Sequence, residues 1–276
     1  MIIGFLGKGG SGKTTLSTIM TKYLLEKSKN VLAIDADHNM DYSFNLGVTE
    51  NIPYFGQSMS HIKQSIGLQP AENFRLAFLQ SSESKFSIFP DDEYTKEYVV
   101  NNMDNLKVMV AGPHTEEIME GDKCSHTLFI ALKIFLPFLR LDENQFVIID
   151  EKAGMDPVGT TVPAGFDIAI ISSEPTVHST KTANQISAGL QKYGTPYIFV
   201  GNKVQNEEQK TFLKNNLWAE PVAYFDFDFS KTTPFTTPLT ESEISNLEKI
   251  LSVGSQIKEN SANRISRTTN FWQKNK

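Results

Sequence analysis

The chain has 276 residues, of which 39% are hydrophobic, and this is enough to bury the core of one large α/β domain. Its formal net charge of −6 argues against a protein that coats nucleic acid through bulk electrostatics. The single cysteine excludes an intramolecular disulfide framework and favours a cytoplasmic setting. We expect neither a signal sequence nor a membrane span, because the apolar runs are too short.

The first predicted element is a phosphate-binding loop. Residues 7–15 read Gly-Lys-Gly-Gly-Ser-Gly-Lys-Thr-Thr and match the pattern G-x-x-x-x-G-K-[ST] in full. The apolar run 1–6 predicts a strand before the loop, and the apolar spacing over 16–24 predicts a helix after it. The glycines let consecutive backbone N–H groups point at an anion, and the helix N-terminus adds its positive dipole end. Lys13 would reach the β- and γ-phosphates, and the Thr14 hydroxyl would bind Mg²⁺.

A second lysine, Lys8, lies inside the loop in the pattern K-G-G-x-G-K-[ST]. This pattern resembles the deviant Walker A loop of the family that holds the MinD and ParA ATPases, the nitrogenase iron protein and the CooC-type nickel-insertion ATPases. The resemblance implies a doubly wound α/β fold with a mostly parallel sheet, a P-loop NTPase of the SIMIBI type. It also implies that Lys8 reaches the nucleotide of the partner subunit in an ATP-bound homodimer. A solvated loop lysine is the alternative interpretation of Lys8.

Two carboxylates follow the next predicted strand. Residues 31–34 are continuously apolar, as in a buried parallel strand, and Asp35 and Asp37 come at its carboxyl end. If this strand neighbours the first, both carboxylates lie beside the phosphate loop, where Mg²⁺ and a hydrolytic water need ordering. By the resemblance, Asp37 positions or activates that water and Asp35 lies near the metal, while His38 replaces the family's usual proline. A helix or turn cap by aspartate is the alternative.

A further buried strand, residues 146–149, ends in Asp150. This is the Walker B arrangement, in which the carboxylate holds Mg²⁺; the alternative is an ordinary polar strand end. Gly154 follows at the distance where a backbone N–H can meet the γ-phosphate and move away after hydrolysis. The segment 150–154 resembles the CooC-type sequence Asp-x-Glu-Ala-Gly, except that Lys152 stands where that family has an acid.

Cys124 and His126 come at the start of a predicted apolar helix, residues 127–139. CooC-type ATPases carry Cys-x-Cys at this point of the dimer interface, so the resemblance implies that two subunits offer two thiolates and two imidazoles. Such a set suits Zn²⁺ in a tetrahedral site or Ni²⁺ in a square one. The alternative is a buried free cysteine beside a surface histidine, without a metal. Two cysteines per dimer argue against a four-cysteine iron–sulfur cluster.

Residues 197–203 predict the last clear core strand. By the resemblance, its Asn202 reads adenine, because an amide both donates and accepts hydrogen bonds on the base edge; an asparagine in a turn is the alternative. The resemblance also implies that residues 221–229 lie over the base, with Phe225 or Asp226 against the purine. The residues assigned to the nucleotide are Gly9, Gly10, Ser11, Gly12, Lys13, Thr14, Thr15, Gly154, Asn202 and Lys203.

Elsewhere the sequence predicts a helix over residues 93–101 and a strand over 106–111. One ATPase domain is expected over residues 1–257. Residues 258–276 are expected to form a loosely packed basic tail, because their apolar residues lack helical spacing. A MinD-like stable membrane anchor is therefore not expected there.

These patterns predict a Mg²⁺-dependent ATPase that works as a nucleotide-switched homodimer. The catalytic roles are assigned to Lys8, Lys13 and Asp37, and the Mg²⁺ site to Thr14, Asp35 and Asp150. Within the family, the resemblance favours a metallochaperone that helps load nickel into a carbon monoxide dehydrogenase or a related client enzyme, with no nucleic acid partner. The alternatives are a ParA- or MinD-type positioning ATPase on DNA or membrane, and a non-hydrolysing scaffold suggested by His38 and Lys152.

Overall fold

The structure is a computed structural model that describes the chain apart from residues 82, 123, 227–232, 258 and 275–276. Its centre is one eight-stranded sheet. The strands are β1 (Ile2–Gly7), β2 (Asn30–Ala36), β3 (Val100–Met103), β4 (Leu106–Val110), β5 (Gln145–Glu151), β6 (Ile168–Ser173), β7 (Tyr197–Gly201) and β8 (Ala223–Tyr224). Their order across the sheet is β3-β4-β2-β5-β1-β6-β7-β8, and β3 alone runs antiparallel to its neighbour.

Helices connect these strands and cover both faces of the sheet. They are α1 (Lys13–Glu26), α2 (Asp41–Asn45), α3 (Met59–Ser65), α4 (Leu76–Gln80), α5 (Glu93–Tyr98), α6 (Glu116–Met119), α7 (Ile130–Phe138), α8 (Asp156–Thr160), α9 (Val177–Tyr193), α10 (Glu207–Asn216), α11 (Glu241–Gln256) and α12 (Ser261–Lys274). Short 3₁₀ helices occupy Phe55–Gln57, Ser125–Phe129 and Val162–Gly165. The predicted doubly wound, mostly parallel α/β fold is therefore confirmed.

The core divides into two apolar clusters, one on each face of the sheet. Successive strand side chains point to opposite faces, so Ile148 of β5 packs with α1 and α11 while Ile149 packs with α7 and α9. Both faces are apolar because both are covered by helices, which explains the continuous apolar runs in the central strands.

The strand order places the predicted site at one edge of the sheet. β5 lies between β1 and β2, and Asp150 is in register with both Phe5 and Asp35. The phosphate loop and both carboxylate-bearing strand ends therefore meet at the same carboxyl edge, where ligands of open parallel sheets bind.

The predicted helix over residues 93–101 is wrong in its last part. α5 ends at Tyr98, and the chain then enters β3, which pairs antiparallel with β4. The side chains of β3 alternate between partly buried and exposed, as expected for an edge strand. A four-residue strand is too short for its alternation to outweigh the preceding helical pattern.

The prediction of a loosely packed C-terminal tail is wrong for residues 261–274. They form α12, in which the side chain of Arg264 is 2% exposed and forms an ion pair of 2.7 Å with Asp167. Ile265 and Thr268 are also buried on this helix. The buried face was missed because an arginine and a threonine occupy it. Lys258 and Lys276 of the predicted tail lie outside the described residues.

Within the described part of the chain, no helix combines the length and the apolar character needed to cross a membrane.

Candidate nucleotide-binding site

The loop between β1 and α1 adopts a tight turn that depends on its glycines. Gly7 and Gly12 have φ angles of +151° and +82°, which residues other than glycine rarely adopt. A Cβ on Gly7 would lie 2.5 Å from the Ser172 carbonyl oxygen, and a Cβ on Gly12 would lie 2.1 Å from Asn202 Nδ2. The loop is thus pressed against two strand ends, and only glycine fits at these two positions.

Side chains from the ends of β6 and β7 hold the loop in place. The Ser11 carbonyl accepts hydrogen bonds from Ser172 Oγ at 2.7 Å and from Asn202 Nδ2 at 2.8 Å. Lys203 Nζ donates to the Gly10 carbonyl at 2.7 Å. The structure therefore gives Asn202 and Lys203 a loop-bracing contact that the sequence did not indicate. Adenine recognition by Asn202 stays a prediction, and its Nδ2 group is already engaged by the loop.

Thr14 and Asp150 meet where the sequence predicts a Mg²⁺ site. Thr14 Oγ1 donates to Asp150 Oδ2 at 2.7 Å. The other carboxylate oxygen, Oδ1, is buried and has no hydrogen-bond partner. Burial raises the pKa of Asp150 to about 7. Mg²⁺ prefers hard oxygen ligands. The unpaired carboxylate oxygen of Asp150 and the neighbouring Thr14 hydroxyl are ligands of this kind, so these residues fit the ion.

Asp35 and Asp37 lie at the neighbouring strand end, but their carboxylates are engaged differently. Asp35 is fully buried and accepts backbone N–H bonds from Ser43 at 2.7 Å and from Asp37 at 3.2 Å. Burial raises the pKa of Asp35 to about 6. The half-buried Asp37 accepts a bond from the Asn39 N–H at 3.2 Å. Asp35 therefore shapes the turn after β2, as the capping alternative proposed, and its role near the metal stays a prediction.

Lys13 lies among carboxylates. Its side chain is nearly buried, and burial lowers its pKa while the charges of Asp150, Asp37 and Glu151 oppose that shift. One buried lysine faces several acids here, so this edge of the sheet is poised to bind a further cation together with a polyanion.

Glu151 is a further buried carboxylate at this edge of the sheet, and it was not among the residues predicted from the sequence. It is 2% exposed, its Oε1 atom has no hydrogen-bond partner, and burial raises its pKa to about 8. Because β5 alternates, Glu151 points to the opposite face of the sheet from Asp150. Two consecutive carboxylates closing a buried strand were the signal that could have identified it.

Lys8, Thr15 and Gly154 were also predicted to act on the nucleotide, and the structure shows the local environment of each. The Gly154 N–H donates to the Gly7 carbonyl at 2.9 Å, so a bond to a γ-phosphate would require this contact to break. Lys8 Nζ lies 3.5 Å from the Gly9 carbonyl oxygen, and Thr15 is exposed. The roles of Lys8, Thr15 and Gly154 toward the nucleotide stay predictions.

The segment predicted to cover the base is described only in part. Phe225 is 4% exposed and packs in the core, and its N–H donates to the Gly201 carbonyl at 2.8 Å. The structure therefore does not offer its ring to a purine. Asp226 is exposed, whereas residues 227–229 of the predicted segment lie outside the described residues.

Cys124 and His126 are brought together at the surface. Cys124 Sγ and His126 Nδ1 are 3.1 Å apart, and Cys124 is exposed, so the alternative of a buried cysteine is wrong. Among the residues that the structure describes, no group of three or more His, Cys, Asp or Glu side chains is arranged to hold a metal ion. A single described chain thus supplies two soft or borderline donors at this position, fewer than the four of a closed zinc site.

A glycine-dependent loop that opens a helix, beside a threonine–aspartate pair at adjacent strand ends, defines a P-loop nucleotide-binding protein. Residues 2–270 match the family described as the CobQ/CobB/MinD/ParA nucleotide binding domain. The chain belongs to this family, as the loop sequence predicted.

Similar proteins agree with this assignment. An uncharacterised ATP-binding protein of Methanocaldococcus jannaschii is 31% identical over 222 residues, 78% of this chain and 83% of that protein. The carbon monoxide dehydrogenase accessory protein CooC of Rhodospirillum rubrum is 23% identical over 250 residues, 90% of this chain and 88% of CooC. The fold is similar to that of the septum site-determining protein MinD of Pyrococcus horikoshii, solved with Mg-ADP, with a TM-score of 0.64, 16% identity and coverage of 94% and 98%.

Proposed function

We propose that this protein is a Mg²⁺-dependent ATPase that dimerises on binding ATP and assists metal loading of a client enzyme, with nickel delivery to a carbon monoxide dehydrogenase or a related enzyme as its task. The observation that carries the ATPase part is the pairing of Thr14 with Asp150 beside a braced phosphate loop. The observation that carries the delivery part is the exposed Cys124–His126 pair.

Hydrolysis needs the γ-phosphate to be held in line with a water while charge develops on its oxygens. Lys13 and the backbone of the loop would bind the β- and γ-phosphates. Thr14 and Asp150 would hold Mg²⁺, which supplies charge neutralisation between the phosphates when it is bound. Asp37 would orient the attacking water, and Lys8 would act on the nucleotide of the partner subunit.

The metal cargo would be shared by two subunits. Each chain offers one thiol and one imidazole 3.1 Å apart at an exposed position, and two copies of the pair make a four-donor N/S set. Such a set accepts Ni²⁺ or Zn²⁺. The similarity to CooC supports a client of the carbon monoxide dehydrogenase type.

A direct test combines phosphate release, molecular mass and metal content. The purified protein, with and without Mg-ATP, is examined by a phosphate-release assay, size-exclusion chromatography with light scattering, and elemental analysis after exposure to Ni²⁺ or Zn²⁺. We expect hydrolysis, an ATP-dependent dimer, and one metal ion per dimer that is absent from Cys124→Ala.

Each part of the proposal fails separately. Unchanged metal content in Cys124→Ala removes the delivery role and leaves the ATPase intact. Nucleotide binding without phosphate release would instead favour the scaffold alternative. ATP-dependent binding to DNA or to anionic vesicles would favour a positioning ATPase.

A further inference from the structure

The ring of Phe129 lies beside two segments that flank the nucleotide site. One segment contains Asp37 and His38, and the other runs from Lys152 to Gly154. Phe129 is buried at 1% exposure and ends the 3₁₀ helix Ser125–Phe129. The ring of His38 is 5.3 Å from the Phe129 ring, centroid to centroid. Lys152 Nζ is 5.9 Å from the centroid of the same ring, within reach of a cation–π contact.

His38 is held firmly against this ring. Its Nδ1 atom is 3.0 Å from the Gly112 carbonyl oxygen, and its ring packs against the His114 ring with the centroids 4.1 Å apart and the planes tilted by 52°. It directly follows Asp37, so the contact with Phe129 is part of the turn predicted to order the attacking water. A displacement of that turn changes the packing around Phe129.

Lys152 connects the second flanking segment to the same ring. It stands two residues before Gly154, whose N–H is bound to the Gly7 carbonyl of the phosphate loop. Lys152 Nζ also pairs with Asp156 Oδ2 at 3.2 Å. His38 and Lys152 are two of the departures from the family pattern in the sequence, and both of them lie beside the Phe129 ring.

A short and well-bonded turn joins Phe129 to the Cys124–His126 pair. The Cys124 carbonyl accepts hydrogen bonds from the Thr127 N–H at 3.0 Å and from Thr127 Oγ1 at 2.8 Å. Leu128 and Phe129 are both buried, so the turn is anchored at its inner end. A hydrogen-bonded turn of a few residues therefore connects the buried Phe129 to the exposed pair.

We infer that Phe129, which packs against His38 and Lys152, makes the geometry of the Cys124–His126 pair depend on the nucleotide state. This inference rests on the proposed function, since it assigns the regulation of the proposed metal-delivery pair. His38, Lys152 and Phe129 act as positioning residues. The bound nucleotide displaces the two flanking segments, and Phe129 carries the displacement to the pair.

The single cysteine of the chain gives a readout that requires no metal. The rate of Cys124 labelling by DTNB is measured in Mg-ADP and in Mg-AMPPNP, for the wild-type protein and for Phe129→Leu. We expect the two rates to differ at least fivefold in the wild type, the lower end of ordinary allosteric coupling. In Phe129→Leu the ratio should fall below twofold, because the smaller side chain loses both ring contacts.

Matched variants separate this effect from general loosening and from dimer formation. Phe135→Leu alters a fully buried ring that contacts Phe86 and Tyr94 instead, and it should keep the wild-type ratio. Lys152→Met removes the cation without opening the core, and it should lower the ratio. Size-exclusion chromatography of each sample shows whether the protein is a monomer or a dimer.

Equal labelling rates in the wild-type protein, with nucleotide binding verified, overturn the coupling while the proposed function stands. A wild-type ratio kept by Phe129→Leu and Lys152→Met also overturns it, since dimer formation alone would then explain the protection. Absent nucleotide binding overturns the coupling and the proposed function together.

Discussion

Asp167 at the amino edge of the sheet, and Asp150 and Glu151 at its carboxyl edge, are buried carboxylates that differ in their hydrogen bonding. At the amino edge, Asp167 accepts a bond from the Ile2 N–H at 2.7 Å and forms an ion pair with Arg264 at 2.7 Å. At the carboxyl edge, Asp150 Oδ1 and Glu151 Oε1 are buried without partners in the described structure. Removing one partner of a buried ion pair is strongly destabilising, whereas a buried carboxylate oxygen without a partner is explained if it serves a bound ion or ligand.

The largest effect is expected at the amino edge, from Asp167→Asn. This change leaves the buried guanidinium of Arg264 without its counter-charge, so the free energy of unfolding should fall by about 3–5 kcal/mol. Urea denaturation measures this loss. The affinity for Mg-ADP should stay within twofold of wild type under conditions where the variant is folded. A loss below about 1 kcal/mol, as expected for an exposed pair such as Glu207–Lys210, would contradict the contrast.

Asp150→Asn should have the converse effect at the carboxyl edge. Removing one preorganised charge from the Mg²⁺ site should lower the hydrolysis rate by about 10²–10³-fold. The stability of the nucleotide-free protein should be equal or higher, because burial disfavours the Asp150 carboxylate more than Thr14 and Lys13 stabilise it. Phosphate release and urea denaturation of the same samples test both halves. A large loss of stability would mean that Asp150 serves the fold.

Glu151→Gln should stabilise the nucleotide-free protein, and more so at high pH. Burial raises the pKa of Glu151 from 4.5 to about 8, so the folded state favours the protonated form. The associated stability is present below pH 4.5 and is lost as the pH rises through 8. At pH 9 the variant should gain a few kcal/mol, because each unit of pKa shift corresponds to about 1.4 kcal/mol, and at pH 6 it should gain about half of that or less. Equal gains at both pH values would show that the charge of Glu151 is not responsible.

Ser172→Ala should have the smallest effect. It removes one of two side-chain bonds to the Ser11 carbonyl and leaves the Asn202 bond in place. A bond of this kind is worth about 0.5–1.5 kcal/mol, so the dissociation constant of Mg-ADP should rise about threefold to tenfold. Ser187→Ala, on the side of the sheet away from the loop and bonded to Asn184, is the matched control. No change in affinity would show that Ser172 does not help to hold the loop for nucleotide.

The sequence predicted the contacts that depend on one short segment and missed those that depend on packing between segments. The phosphate loop and the strand ending in Asp150 were visible because a local pattern dictates each of them. The contact between His38 and Phe129 joins residues that are 91 positions apart in the sequence, and no local pattern encodes it. The anchoring of α12 was hidden because its most buried side chain belongs to an arginine, a residue that is ordinarily exposed.

The measurement that tests the contrast most directly is the thermal or urea stability of the protein as a function of Mg-ADP concentration, beside Lys13→Ala. If the carboxyl edge is arranged for a Mg²⁺-nucleotide, the wild-type protein should gain about 2.7 kcal/mol at a ligand concentration 100 times the dissociation constant. Lys13→Ala should gain almost nothing at the same concentration. A wild-type protein that Mg-ADP does not stabilise, or a Lys13→Ala variant that it stabilises equally, would contradict the proposed site.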